Sequence, residues 1–352
     1  MSATWWDHSA YSKRKESLQI RGRAIAAVRQ FFSDQGFTEV ETPAIQVSPG
    51  IDRHIQSINV SVRGPFESPD HNRFLHTSPE FAMKKLLAAG EQKIFQICHV
   101  YRNGEDGRLH HPEFTLLEWY RAHATYDELM EDVANLATET AVATSQSSFR
   151  HGGHATEIKQ AWRRMSVSDA FSEFADINLL DEVAGQDELP SGKFVEGAKA
   201  AGVRCGKDDR WDDVFHRVML ECVEPKLAEG PPTLLFDFPA PVGALARPKM
   251  TDSRVCERVE AYVCGVELAN GFSELTDAAE QRRRFERDQA AYTRLYGEAP
   301  PIDEDFLSAL AHMPESAGMA LGIDRLIMLL TGADHIRDVL WAPVDMDVQQ
   351  PS

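Results

Sequence analysis

The chain has 352 residues, 26% charged and 43% hydrophobic, with 37 basic against 55 acidic side chains and a formal net charge of −18. This length and balance suit a globular chain with one large or two ordinary domains and exclude a fibrous or disordered one. No run approaches the roughly eighteen apolar residues of a membrane span, the N-terminus lacks the apolar core of a signal peptide, and the acid excess leaves no basic footprint for extensive nucleic-acid binding.

A cytoplasmic location is therefore expected. The cysteines, Cys98, Cys205, Cys222, Cys256 and Cys264, are scattered without a CxxC pair, which fits a reducing compartment and no structural zinc. His151-Gly-Gly-His154 reads as a surface loop.

In chain order, Ser12 to Phe32 carries Leu18, Ala24 or Ile25, Val28 and Phe32 at helical spacing, with Arg14, Arg21 and other cations around the rest of the helix. Gly36 is a ready C-terminal cap, and a strand ending at Pro43 follows. Ser78-Pro79-Glu80 is a helix start, with Gly90 at the far end. There Glu80 suits the positive end of the helix dipole. Ile94–Tyr101 and Phe114–Arg121 are apolar alternating runs around a polar loop, an antiparallel strand-loop-strand unit. Period two puts Phe114, Leu116, Glu118 and Tyr120 on one face. An ionised Glu118 there needs a cation or a solvated cleft.

Tyr126–Ala143 reads as a helix. Residues 145–230 give helical fragments at Val167–Phe174 and Trp211–Leu227, and Thr233–Pro239 gives a strand. A strand through Val259–Leu268 leads to Asn270, Phe272 and Glu274 on one face. Bringing Glu267 onto that face requires a bulge or turn near Asn270-Gly271. Two glutamates brought to one face suit a divalent cation such as magnesium as oxygen ligands. Ala278–Tyr296 is a charge-laced helix with a solvated face. Gly318, Ala320 and Gly322 alternate along a strand that runs into Asp324-Arg325.

Several of these stretches resemble the class II aminoacyl-tRNA synthetases in their lysyl-type version: Arg102-Asn103 before the loop, His110-His111-Pro112-Glu113-Phe114, Leu117-Glu118-Trp119-Tyr120, Gly265-Val-Glu-Leu-Ala-Asn-Gly-Phe-Ser-Glu-Leu275 and Gly318-Met-Ala-Leu-Gly-Ile-Asp-Arg325. The resemblance covers about residues 15 to 345. It implies an α+β catalytic core, a mostly antiparallel sheet flanked by helices, after a polar lead of residues 1–14. A helical insertion would occupy about 145–230 and a tail 346–352. It also implies a homodimer through Gly36–Pro43.

By the same resemblance Arg102 and Arg325 neutralise phosphates in catalysis, and Asn103, Gly104, His111, Glu267, Leu268 and Gly322 complete the ATP site. Ser78, Pro79, Glu80, Glu118, Tyr120, Asn270 and Glu274 bind the amino-acid substrate, with its amino groups read by Glu80, Glu118, Tyr120 and Asn270. Glu267 and Glu274 hold Mg2+. The usual Arg-x-Glu is here Arg102-Asn103-Gly104-Glu105, so the adenine is held either by Glu105 through a loop shift or by backbone alone.

The core is expected to stand without a preceding anticodon-binding domain, and Ala320 stands where lysyl-tRNA synthetases have glycine. Both features, with the acidic balance, resemble the short paralogues that join lysine or (R)-β-lysine to elongation factor P. ATP would be the co-substrate and tRNA an unlikely partner. A truncated tRNA-charging enzyme and a non-catalytic regulatory paralogue are the alternatives, the latter disfavoured because Arg102, Glu267, Glu274 and Arg325 are all present.

Overall fold

In the computed structural model, which describes residues 4–65, 69–185 and 188–344, helix α1 (His8–Asp34) buries Leu18, Ala24, Val28, Phe31 and Phe32. The apolar stripe is the expected one, with Ala24 rather than Ile25 on its buried side. Much of the supposed polar lead is helical, because the Asp7 carboxylate accepts from the Ser9 N–H at 2.9 Å and starts the helix at His8. Gly36 ends it with φ +74°. Two cations assigned to the wet face are buried. Arg21 pairs with Asp324 and donates to Thr115 Oγ1 at 2.7 Å, and Arg14 donates to the carbonyls of Arg337 (3.1 Å) and Leu340 (2.6 Å).

Strands β1 (Thr38–Glu39), β2 (Ile45–Gln46), β3 (Ile58–Val62) and β4 (His71–Leu75) precede helix α2 (Glu80–Ala88). Strands β5 (Lys93–Tyr101) and β6 (Glu113–Ala122) form the expected hairpin, and α3 (Tyr126–Ala143) follows behind a Thr125/Glu128 capping box. The next segment holds β7 (Ser148–His151), β8 (His154–Glu157), β9 (Arg163–Ser166) and helices α4 (Val167–Ala175), α5 (Gly192–Ala200), α6 (Trp211–Val218) and α7 (Glu224–Ala228). The chain closes with β10 (Thr233–Pro239), β11 (Val255–Val263), β12 (Val266–Ser273), α8 (Ala278–Tyr296), α9 (Glu304–Leu310), β13 (Ser316–Gly322) and α10 (Ile323–Thr331).

Eight strands form one sheet in the order β1-β5-β6-β13-β12-β11-β10-β9. The pairings from β5 to β10 are antiparallel, and the edge strands β1 and β9 are parallel to their neighbours. This is the expected α+β architecture. Helices α1, α3 and α10 cover one face, with Phe32, Trp119, Val133 and Leu326 in the shared core.

Three local readings are corrected. Residues 145–230 are not purely helical: Gly152 and Gly153 (φ +57° and +85°) turn a β7–β8 hairpin between the two histidines, and β9 joins the main sheet beside β10. The helices there pack Phe171, Phe194, Trp211 and Phe215 into a core that continues onto Leu235, Phe238 and Tyr262 of β10 and β11. The strand expected to run through Val259–Leu268 reverses at Cys264-Gly265, whose φ values of +50° and +77° suit a two-residue hairpin turn, and Asn270-Gly271 lies mid-strand. On helix α8, Arg284 is buried and donates to the carbonyls of Ala244 (2.7 Å) and Ala246 (2.9 Å). The tail 346–352 lies outside the described residues.

Candidate active site

The face of β6, β13 and β12 away from α1 and α3 floors a cleft of about 430 Å³. Strand alternation supplies its side chains. Phe114, Leu116, Glu118 and Tyr120 of β6 all line it, as do Gly318, Ala320 and Gly322 of β13. On β12 the pairing with β11 slips between Ala261↔Ala269 and Tyr262↔Glu267, which leaves Leu268 as the extra residue of a bulge. The bulge reverses the parity and brings Glu267 to the face of Asn270 and Phe272, all three lining the cleft.

One end of the cleft is acidic. Glu118, Tyr120 and Glu274 are at most 3% exposed. Ser78 begins the turn into α2, accepting from the Glu80 N–H at 3.0 Å and donating to Glu118 Oε1 at 2.5 Å. Lys84, one helical turn after Glu80, places its buried ammonium 2.5 Å from Glu80 Oε1 and 2.5 Å from Glu274 Oε2, with the Phe272 ring 5.1 Å away. Glu118 Oε2 and Glu274 Oε1 are buried with no hydrogen-bond donor. Burial pushes the Glu118 carboxyl up to about 8, helped by the charge of Glu80. Burial likewise pushes Glu274 up to about 8, against the opposing pull of Lys84. A Cβ on Gly318 would stand 2.2 Å from the Tyr120 ring and 2.8 Å from Glu274 Oε1, so this glycine makes room for those two side chains.

The other end is cationic. Arg325 donates to the Glu267 carbonyl at 2.8 Å and to His110 Nε2 at 2.9 Å, which fixes that nitrogen as an acceptor. Burial and the Arg325 charge lower the His110 pKa. The Arg102 guanidinium stacks 5.0 Å from the Phe114 ring, and its buried Nε has no partner. His111 Nδ1 lies 2.6 Å from the Glu113 carbonyl, leaving a buried Nε2 without a partner on the cleft wall.

Most of the expected site residues converge here: Ser78, Glu80, Arg102, His111, Glu118, Tyr120, Glu267, Leu268, Asn270, Gly322 and Arg325 all line the one cleft. Four are placed otherwise. Pro79 lines a small recess beside the cleft. Asn103 is held by its backbone, donating to the Gln56 carbonyl at 2.8 Å, and Gly104 takes φ +75° in a turn. Neither belongs to the cleft wall, whereas Glu105 does, 3.7 Å from Arg102. Glu274 is buried against Lys84 and Gly318 at the acidic end rather than on the lining itself.

That last placement corrects the metal pair. Glu267 and Glu274 share a face, yet at about 3.3 Å per strand residue they stand roughly 20 Å apart along β12, and one ion cannot join them. The charge of Glu267 instead acts on Glu260 of β11. Glu260 accepts from Arg258 at 2.6 Å and from the Tyr262 hydroxyl at 2.7 Å, and burial raises its pKa to about 7.

A family model for class II tRNA synthetases (D, K and N) matches residues 3–345. The chain belongs to this family. Among class II relatives, the elongation factor P--(R)-beta-lysine ligase of Pectobacterium carotovorum subsp. carotovorum is 40% identical over 96% of this chain and 97% of its own. Its namesake in Edwardsiella ictaluri is 40% identical over 94% and 95%, and that of Haemophilus ducreyi 38% over 92% and 93%.

Some of the residues here would suit the Mg2+ expected beside ATP. Mg2+ ordinarily takes one or two carboxylates and completes its shell with water and phosphate oxygens. Glu260 and Glu267, neighbouring like charges, are the pair that a cation would relieve. Among the described residues no set of three His, Cys, Asp or Glu side chains stands ready to hold a metal alone, so the nucleotide would complete the shell.

The sequence reading missed Lys84, His110, Arg258 and Glu260, and left Glu105 as one of two alternatives. Lys84 had a signal, four residues after Glu80 on one helix face. Glu260 had none, since its relation to Glu267 depends on the turn at Cys264-Gly265. Arg258 Nε donates to Asn270 Oδ1 at 3.3 Å, which orients the amide with its NH2 as a further donor.

Proposed function

We propose that this class II enzyme activates (R)-β-lysine, or lysine, with ATP and joins it to a lysine side chain of elongation factor P. The observation that carries the reading is the acidic end of the cleft, where Glu80, Glu118 and Glu274 surround a single Lys84. One ammonium offsets one of the three carboxylates. The two remaining carboxyls, giving up their protons on binding, match the two ammonium groups of a diamino acid, and the unpartnered oxygens of Glu118 and Glu274 are free to accept. Tyr120 adds a hydroxyl, and the Asn270 amide meets the substrate carboxylate toward the cationic end.

In the first step that carboxylate attacks the α-phosphorus of ATP. The bond to the bridging oxygen breaks, and pyrophosphate leaves an aminoacyl-adenylate. Arg102 and Arg325 neutralise phosphate charge with planar forks already fixed by Phe114, Glu267 and His110. Glu260 and Glu267 would hold Mg2+, which when bound would supply further charge neutralisation on the phosphates. Of the two alternatives for the adenine we favour Glu105, because its side chain lines the cleft. In the second step the neutral ε-amine of the acceptor attacks the acyl carbon, AMP departs, and the amine's surplus proton goes to solvent. Positioning does most of this work, and no covalent enzyme intermediate is required.

The relatives' names support elongation factor P as acceptor, and the net charge of −18 speaks against tRNA. We place the enzyme in the cytoplasm with its acceptor, as a homodimer joined through the Gly36–Pro43 region. The test is amino-acid-dependent exchange between ATP and pyrophosphate, comparing (R)-β-lysine with α-lysine, followed by transfer of label. Exchange that favours β-lysine, with label on elongation factor P, is the expected result. Label on lysine tRNA alone, or no exchange with any amino acid, overturns the reading.

A further inference from the structure

Residues 49–56, between β2 and β3, contribute a wall of the cleft that reaches Tyr120 at its acidic end. Gly50, Ile51, Asp52 and Ile55 line it, and Ile51 packs in the cluster that contains Tyr120, Phe81 and Phe285. Backbone bonds hold the ends of this wall. Pro49 accepts from the Thr77 hydroxyl at 2.8 Å, and Gln56 accepts from the Asn103 N–H at 2.8 Å. The middle is held by a side chain. Arg53 is 5% exposed, and its guanidinium meets Asp288 of α8 at 3.0 Å and Asp212 of α6 at 3.4 Å. Next to it the rings of His54 and His216, also of α6, meet edge to face at 5.8 Å.

Asp212 comes from the inserted helices, whose Trp211 and Phe215 are stacked into their own core. On α6, then, neighbouring residues face two ways, the aromatic pair anchoring the helix and Asp212 reaching the wall. We propose that Arg53 is a positioning residue for amino-acid binding, and that the insertion serves the reaction by presenting Asp212 to it. Buried charges of this kind hold their geometry well, because an unpaired Arg53, Asp212 or Asp288 would bear its full desolvation cost. Arg53 touches no reacting atom. It acts through Ile51 and Ile55, whose placement closes the acidic end over a bound diamino acid.

This inference rests on the function proposed above, so its test has one readout that needs no activity. Amide hydrogen exchange across 49–56 is compared in the wild type, Arg53→Ala, Arg53→Lys and Asp212→Asn, alongside KM for the amino acid and for ATP in pyrophosphate exchange. The expected result is faster exchange confined to 49–56 in Arg53→Ala and Asp212→Asn. With it comes a rise of about tenfold in amino-acid KM, ATP KM within twofold of wild type, and partial recovery in Arg53→Lys. Two results overturn the proposal: unchanged protection and unchanged amino-acid KM in Arg53→Ala, or protection lost throughout the molecule with both KM values rising together. A wild type that activates neither lysine defeats the functional reading alone, and the exchange pattern still decides whether Arg53 and Asp212 fix the wall.

Discussion

Glu118 and Glu274 give the amino-acid end a pH dependence whose sign can be worked out. Each is held up to about 8, above the ordinary 4.5 for a glutamate. The folded apoprotein thus binds protons that the unfolded chain has released. Their contribution to stability is present below about 4.5 and is lost as pH rises through about 8. Melting temperature should fall from pH 6 to 8.5 without substrate, and a diamino acid should restore it. Over the same range amino-acid KM should fall, because binding two ammonium groups requires the carboxylates, and calorimetry in buffers of different ionisation enthalpy should detect proton release. A KM that is flat with pH would mean that neither carboxyl takes part. Ala320 lies between Glu118 and Asn270 across the sheet. Ala320→Gly returns a methyl's volume to the site, worth on the order of 1 kcal/mol in selectivity, and should shift the ratio of kcat/KM toward α-lysine about fivefold. Glu118 and Tyr120 were legible from the sequence because period two is a strict rule. Lys84 drew no reading, and Arg14 and Arg21 were misplaced because amphipathic patterning treats every cation as wet.

At the level of elements, the β11–β12 hairpin determines what the site can hold. Its turn at Cys264-Gly265 sets Glu260 opposite Asn270, and its bulge at Leu268 turns Glu267 into the cleft. Cys-Gly is a weaker turn signal than the Asn-Gly six residues on, which drew the turn to the wrong place and with it the wrong metal pair. That a bulge was needed followed from parity alone, but its position depends on pairing with a neighbouring strand and leaves no trace in composition. Gly265 has φ +77°, and a Cβ there would stand 2.8 Å from that of Ala228 on α7. Gly265→Ala should therefore cost at least the roughly 1–2 kcal/mol of a left-handed non-glycine residue, measurable by urea unfolding. It should also weaken ATP binding more than amino-acid binding, since Glu260 and Glu267 flank this turn and Glu274 does not. Equal effects on both substrates would count against that assignment.

Across the whole molecule, Arg21 ties the first helix to the last. It joins α1 to Thr115 of β6 and to Asp324 at the head of α10, while Asp324 Oδ2 accepts from the Thr115 N–H at 2.7 Å. Arg21→Ala strands the buried Asp324 carboxylate next to Arg325, and about 3–5 kcal/mol of stability should be lost, with a lower melting temperature as the readout. The α+β architecture was legible from motifs spread over the full length, whereas this long-range pairing was not. The charge separation within the cleft has a kinetic consequence as well. A protein of net charge −18 surrounds itself with a field that draws in a cationic amino acid and repels a polyanionic nucleotide, and salt screens both effects beyond a Debye length of about 8–10 Å. Raising ionic strength should slow the capture of one substrate while hastening that of the other, so the two association rates should cross in a stopped-flow salt series.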